Sequence, residues 1–484
     1  GSGIGGLVTA TQLVAKGLKV LVLERYIIPG GSAGSFERHG YRFDVGASMI
    51  FGFGQQGTTN LLTKALAAVG QSLETVPDPV QVHYHLPDIE IQVDRDYKEF
   101  LSRLQRAFPD EAEGIARFYG ECWRVFNCLN SMELLSLEEP RYLARSFLNH
   151  PLSCLRLARY LPLNVGDIAR KYLTDPKLLR FIDMECFCWS VMPAARTPMI
   201  NAGMVFSDRH YGGVNYPKGG VGAIATALVK GLESHGGEIL YKARVKKILS
   251  ENGRAVGVKL ASGREVYGDA IISNTTRWQT FGDLWEDIPH KEQRWRQRYQ
   301  ASPSFVSLHL GVKADLIPKD FDCHHIVLQD WETIAESGGT VFTSIPTLLD
   351  PTLAPSNRHI IHTFTPSWMK EWDGLSPSEY RQKKAIAAQN VIAKLETILP
   401  GIQDAINYQE VGSPRTHRRF LGRKDGTYGP VPARQLRGLL GMPFNKTTVP
   451  GLYIVGDSTF PGQGLNAVAF SGFACAHRVA ATLG

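Results

Sequence analysis

The 484-residue sequence holds no run of 18 or more apolar residues, so it offers no transmembrane helix. No secretory leader is visible. Its seven cysteines (Cys122, Cys128, Cys154, Cys186, Cys188, Cys323, Cys475) are odd in number and scattered. That excludes a disulfide scaffold and fits a reducing compartment such as cytosol or plastid stroma. Cys186 and Cys188 form a C-x-C, but no second pair or flanking histidine completes a zinc set, so buried thiols are expected and no metal. No H-E-x-x-H, G-x-S-x-G or paired-carboxylate spacing appears. Charged residues make up 20%, below the usual ~25%. Fifty-three Lys and Arg against 46 Asp and Glu leave +7, too dilute a field to argue for nucleic acid. What the chain does have is 43% hydrophobic residues and 48 glycines. These suit a protein that buries large cores, about three domain-sized masses at ~150 residues each, and that brings backbone close to an apolar ligand.

Gly1-Ser2-Gly3-Ile4-Gly5-Gly6 is a full G-x-G-x-x-G. A helical pattern follows (Leu7, Ala10, Leu13, Val14), then the apolar strand Lys19–Leu23, then Glu24. An acidic residue about 20 positions on is what a ribose 2′-hydroxyl needs, while the glycines permit a tight turn, close approach to a pyrophosphate, and helix-on-strand packing. The strand expected ahead of such a motif is missing, so the sequence reads as starting inside a dinucleotide-binding unit. A second glycine-rich loop, Pro29-Gly30-Gly31-Ser32-Ala33-Gly34-Ser35, comes directly after the acidic strand, followed by Gly40-Tyr41-Arg42-Phe43-Asp44-Val45-Gly46-Ala47-Ser48. Near the other end Leu452–Val455 reads as a strand, Gly456-Asp457 breaks it, and a helix runs from about Leu465.

This arrangement resembles the FAD-dependent amine oxidase and phytoene desaturase superfamily. The resemblance implies FAD along Gly1, Gly3, Ile4, Gly5 and Gly6, with Glu24 and Arg25 at the adenosine ribose. It further implies Gly30, Gly31, Ser32 and Ser35 along the cofactor, and the Val245 backbone at the adenine. Gly456 and Asp457 fall at the ribityl chain or pyrophosphate, and Gly464 and Leu465 open a helix whose N-terminus faces the flavin. Between the ends, Asn215–Gly222 leads into a helix (Ile224, Leu228, Leu232), strands follow at Glu238–Leu240 and Ala243–Ile248, and Asn252-Gly253 signals a type I′ hairpin. The expected class is α/β: a discontinuous Rossmann-like FAD-binding domain (1–60, 205–280, 440–484) interwoven with an α+β substrate domain (61–204, 281–439).

From Arg141 to Arg180 eight Lys and Arg face two acids, Asp167 and Asp175, with Phe147, Leu148, Leu152, Leu155 and Leu157 among them. A basic, bulky-apolar stretch of this kind, about 141–180, is expected to contact a membrane surface without spanning it; an ordinary solvated helix face is the alternative. His83/His85 and His324/His325 read as structural. Asp330 and Glu332 read as a solvated loop. Met199, Met204, Phe206, Phe305 and Phe364 are either tunnel wall or plain core.

Longer strings sharpen the resemblance: His324–Glu332, Ser344–Pro355, Thr416–Arg423 with Gly426-Thr427-Tyr428-Gly429-Pro430, and Gly456–Gly462. They are similar to the prolycopene isomerases, carotenoid cis–trans isomerases of cyanobacteria and plant plastids. The resemblance implies conversion of poly-cis lycopene to all-trans-lycopene with reduced FAD; it supplies no agreed side-chain acid or base, so only cofactor positions are carried over. It also implies an unidentified flavin reductant and a peripheral membrane location, on the cytoplasmic side or in a plastid. A carotenoid desaturase or retinoid saturase on the same scaffold, and a flavin-free lipid-binding or chaperone protein, remain open at this point.

Overall fold

The structure is a computed structural model and describes residues 1–46, 48–426, 429–432, 438–440 and 442–484, with backbone alone for 430–432. Ala47, Thr427 and Tyr428 of the strings above lie outside the described residues. Gly3 opens the helix Ile4–Val14, which buries Ile4, Leu7, Val8 and Leu13. The strand Leu21–Leu23 then pairs in parallel with Glu238–Leu240, and Ile271–Ser273 pairs in parallel with Leu452–Ile454. Four distant segments thus supply two short parallel strand pairs, against which the helices Ile4–Val14, Gly222–Ser234 and Leu465–Leu483 pack. Gly472 lets the first and last helices close: a Cβ there would sit 2.8 Å from the Val8 side chain. Thr9 Oγ1 seals the contact by donating to the Gly472 carbonyl at 3.3 Å. Asn252 and Gly253 both take positive φ (48° and 73°), the backbone of the type I′ turn joining Val245–Glu251 to Arg254–Leu260.

The second mass is a seven-stranded sheet in the order Ile406–Gly412, Ser304–Lys313, Arg358–Ser367, Val341–Ser344, His324–Val327, Val80–Leu86, Ile89–Asp94. All neighbours are antiparallel except His324–Val327 and Val80–Leu86, which run parallel. Strand alternation separates two cores. Val306, Leu308, Leu310 and Val327 meet Val391, Ile392 and Leu395 of the helix Pro377–Leu395. Val82, Tyr84 and Ile326 meet a helical layer that includes Phe118, Phe181, Met199 and Phe206. Met199 and Phe206 are fully buried there, so they are core rather than tunnel lining. The same layer encloses an ion pair. Arg209 Nη1 and Nη2 donate to Glu185 Oε1 and Oε2 at 2.6 and 3.1 Å, both side chains are fully buried, and the Tyr84 and Tyr119 hydroxyls complete the carboxylate.

The basic segment resolves into short helices, Pro140–Asn149, Pro151–Tyr160 and Val165–Tyr172, then the longer Pro176–Ser190. Proline stands first in three of them, where its missing N–H costs nothing. The two acids of the segment serve as local caps: Asp167 accepts from the Asn164 N–H, Asp175 from the N–H groups of Lys177 and Leu178. The segment's own acids thus cap helices, while Arg145, Lys177 and Arg180 pair with Glu133, Asp88 and Glu332 at 3.8, 3.2 and 2.6 Å. Leu143, Phe147, Leu148, Leu152 and Leu155 are exposed on the first two helices, Leu148 to 78%. No helix among the described residues is long and apolar enough to cross a membrane. All seven cysteines are free, and burial pushes the Cys186 and Cys188 thiols up, leaving them inert at neutral pH.

Candidate active site

The glycine motif lies between the C-terminal ends of the two parallel strand pairs. Glu24, directly after Leu21–Leu23, turns its carboxylate back under the loop and accepts from Ser2 N (2.8 Å), Ser2 Oγ (2.7 Å) and Tyr26 N (2.7 Å). Burial alone raises such a group, but the Ser2 and Tyr26 donors outweigh it and hold Glu24 below the ordinary glutamate value, hence anionic. From the other pair, Asn274 Nδ2 donates to the Gly1 and Gly3 carbonyls at 3.2 and 3.3 Å. A Cβ on Gly6 would stand 2.2 Å from the Gly1 oxygen, and one on Gly5 3.2 Å from Gly456. The loop is thus closed against the far end of the chain at distances only glycine permits.

Gly30 joins this loop through its N–H to Ser2 O at 2.8 Å, with φ at 107°. Gly31 and Ser32 follow in a short turn of helix. Ser35 faces inward instead: its hydroxyl donates to Asp44 and accepts from Gly222 N. Asp44 is a hub, taking Val221 N and Tyr216 OH at 2.8 Å each as well as Ser48 and Ser35 hydroxyls. Burial is the first cause acting on it and pushes its carboxyl up. Val245 begins its strand two residues after Ala243, whose N–H bonds Glu24 O at 2.8 Å.

At the other end Asp457 is nearly buried and ion-paired with Arg423, Nη1 to Oδ2 2.6 Å. Gly464 (φ 103°) leads into the exposed N-terminus of Leu465–Leu483. Arg25, Arg244, Arg418, Arg419, Arg423 and Lys424 line a cavity of about 360 Å³ against Asp283. Ser458 Oγ and Asn466 Oδ1 are buried without a hydrogen-bond partner.

These features fit a dinucleotide. The cradle has no Cβ to obstruct a pyrophosphate, cations stand beside it, and buried polar atoms await a ligand. Ser2, Asp44, Asn274 and Arg423 escaped notice as site residues. Only Arg423 had a local sign, the cationic run between Arg415 and Lys424.

Residues 4–480 match the family described as flavin containing amine oxidoreductase. The prolycopene isomerase of Daucus carota, named chloroplastic, is 58% identical over all of this chain and 80% of its own length. That of Arabidopsis thaliana, also named chloroplastic, is 57% identical over all of this chain and 82% of its own length. Among solved structures, an oxidoreductase from Methanosarcina mazei superposes with a TM-score of 0.64 at 20% identity, covering 98% of each chain. With its α/β fold and its glycine cradle closed from both ends, this chain belongs to the flavin containing amine oxidoreductases and, within them, to the prolycopene isomerases.

Proposed function

We propose that this enzyme converts poly-cis lycopene to all-trans-lycopene with reduced FAD bound in the cradle. The observation carrying this reading is that 58% identity to an isomerase spans every segment that builds the site. Glu24, with Arg25 beside it, takes the adenosine ribose, and Val245 the adenine. Gly1, Gly3, Ile4, Gly5 and Gly6 receive the pyrophosphate at a helix N-terminus, and Gly30, Gly31, Ser32 and Ser35 shape the opposite wall. Gly456 and Asp457 hold the ribityl side, and Arg423 fixes the Asp457 carboxylate. The helix beginning at Gly464 and Leu465 points roughly half a positive charge into the site, which favours negative charge there. Reduced FAD held by these residues would supply the electron density needed to lower a polyene double-bond order, an isomerisation with no net redox change. The chain's own part is to orient the cofactor and keep the hydrocarbon dry. An FAD-binding domain (1–60, 205–280, 440–484) carries the cofactor and the remainder the substrate. An electron donor outside the chain reduces the flavin.

The decisive experiment incubates reduced holoprotein anaerobically with poly-cis lycopene. All-trans product of unchanged mass is expected, and oxidised holoprotein without reductant should give none. A product differing by two hydrogens would identify a desaturase or saturase instead. Full turnover on oxidised flavin would remove the role given to reduction.

The basic helices form a peripheral membrane contact. Leu143, Phe147, Leu148, Leu152 and Leu155 are exposed beside Arg141, Arg145, Arg156 and Arg159, the combination that enters an anionic lipid interface. The partner is the membrane that dissolves the substrate: plastid membrane, in keeping with the relatives' names, or the cytoplasmic face of a cyanobacterial one. Neutralising Arg156, Arg159, Arg170 and Lys171 together should reduce co-sedimentation with anionic liposomes several-fold, most at low salt. Leu148→Ser with Leu152→Ser should reduce it at every salt concentration. Unchanged sedimentation of both variants would remove the contact.

A further inference from the structure

The edge of the large sheet assembles a cluster that chain spacing does not reveal. His83 and His85 project from one face of Val80–Leu86, opposite Tyr84, and His325 on the parallel neighbour is in register with His83. Glu90 and Gln92, on the edge strand Ile89–Asp94, stand across from His85 and His83. One nitrogen of each of the three rings lies within 4.8 Å of the other two.

We propose that His83, His85 and His325 form a divalent transition-metal site, with Glu90 as the outer-shell carboxylate of His85 and solvent as fourth ligand.

The argument rests on where each ring's outer nitrogen is committed. His83 Nδ1 is 3.1 Å from Asp322 Oδ2, an acceptor that Gln92 also holds at 2.9 Å. His325 Nε2 is 2.8 Å from the Asp322 carbonyl, also only an acceptor. His85 Nδ1 is 2.7 Å from Glu90 Oε1. His85 and His325 therefore carry their protons on these outer nitrogens, and when neutral each is left with a lone pair on the other nitrogen. His83 Nε2 instead stands 3.1 Å from Glu90 Oε1, so an ion bound by His83 takes that carboxylate's place. The inner nitrogens His85 Nε2 and His325 Nδ1 then face each other at 3.0 Å, lone pair against lone pair. Something positive must lie between them, a proton or a metal ion.

An N–H turned outward to a carboxylate or carbonyl, with the opposite nitrogen free, is the outer-shell arrangement of metal-bound histidine. Three imidazoles and a water suit Zn²⁺, Co²⁺ or Ni²⁺, at about 2.0–2.1 Å per Zn–N bond. His83 and His85 are partly open to solvent and Glu90 more so, so an ion has a way in. The site is remote in chain from the flavin cradle and does not depend on the proposed chemistry. It ties three strands at a sheet edge, including residues 240 positions apart, so metal binding there is linked to folding.

The test titrates untagged holoprotein with Co²⁺ and, separately, Zn²⁺. One equivalent of Co²⁺ should bind and show the ligand-field bands of a four-coordinate ion, and Zn²⁺ should displace it and raise the thermal midpoint. His83→Gln with His85→Gln, and His85→Gln alone, should bind Co²⁺ at least 100-fold more weakly and lose the Zn²⁺-dependent rise, with flavin content and circular dichroism reporting that they remain folded. Cys323→Ser, which alters the separate buried group Asp78, Cys323 and His324, should bind as the parent does. Absence of stoichiometric binding in the parent protein would overturn the site and leave a proton in the gap. Binding that survives in the histidine variants, or vanishes in Cys323→Ser, would overturn it by placing the ion elsewhere.

Discussion

Glu24→Ala is expected to yield a protein that no longer holds flavin, its affinity lowered at least 100-fold. The carboxylate serves the loop as well as the ligand. Ser2 N, Ser2 Oγ and Tyr26 N all donate to it, and Ser2 is fully buried. Alanine leaves those donors without an acceptor, at about 1–3 kcal/mol for each buried group left unsatisfied. A 100-fold loss corresponds to about 2.7 kcal/mol, within reach before any contact to the ribose is counted. Glu24→Gln keeps an acceptor but not the charge and should fall between. Visible flavin absorbance per protein and titration of the apoprotein with FAD measure the effect. A Glu24→Ala protein with full flavin content would break the assignment. A parent protein that never binds flavin would favour the lipid-binding alternative.

Arg209→Met should have the largest effect on stability. It leaves Glu185 charged in a fully buried site, facing the Tyr84 and Tyr119 hydroxyls and an apolar side chain. Removing one partner of a buried pair typically costs about 3–5 kcal/mol, a large part of the 5–15 kcal/mol that separates folded from unfolded protein. Arg209 also lies between the faces of Phe100 and Phe206, at 4.8 and 5.1 Å from the ring centres, so methionine retains packing while deleting charge. The combined change Arg209→Met, Glu185→Gln should recover much of the loss, because no buried charge then remains. Denaturant midpoints of the two proteins decide the matter. A single variant within about 1 kcal/mol of the parent would show that the pair contributes little.

Glycine carried most of what the linear sequence disclosed. Gly5, Gly6 and Gly30 stand where a side chain would strike backbone, and such requirements leave a visible pattern. The Asn-Gly turn and the strands around it were legible for the same local reason. The contacts that finish the site have no such pattern. Asn274 reaches Gly1 across 273 positions and Val221 reaches Asp44 across 177, and nothing in the neighbourhood of any of these residues announces its partner. Apolar composition was ambiguous in another way: Met199 and Phe206 satisfy both a tunnel and a core, and only the packing shows that they are core. The charge excess of 141–180 was visible, whereas the use of Asp167 and Asp175 as helix caps required backbone positions.

The closure of the first helix on the last has a consequence for biosynthesis. Thr9 and its partner Gly472 are separated by 463 positions. At roughly 5–20 residues per second on the ribosome, the opening segment waits on the order of 20–90 s for its counterpart. Throughout that interval Leu7 and Val8 lack their final cover. The nascent chain therefore carries an open cleft for that time, and the vitamin-derived prosthetic group meets a closed cradle only once the segment around Gly472 has emerged.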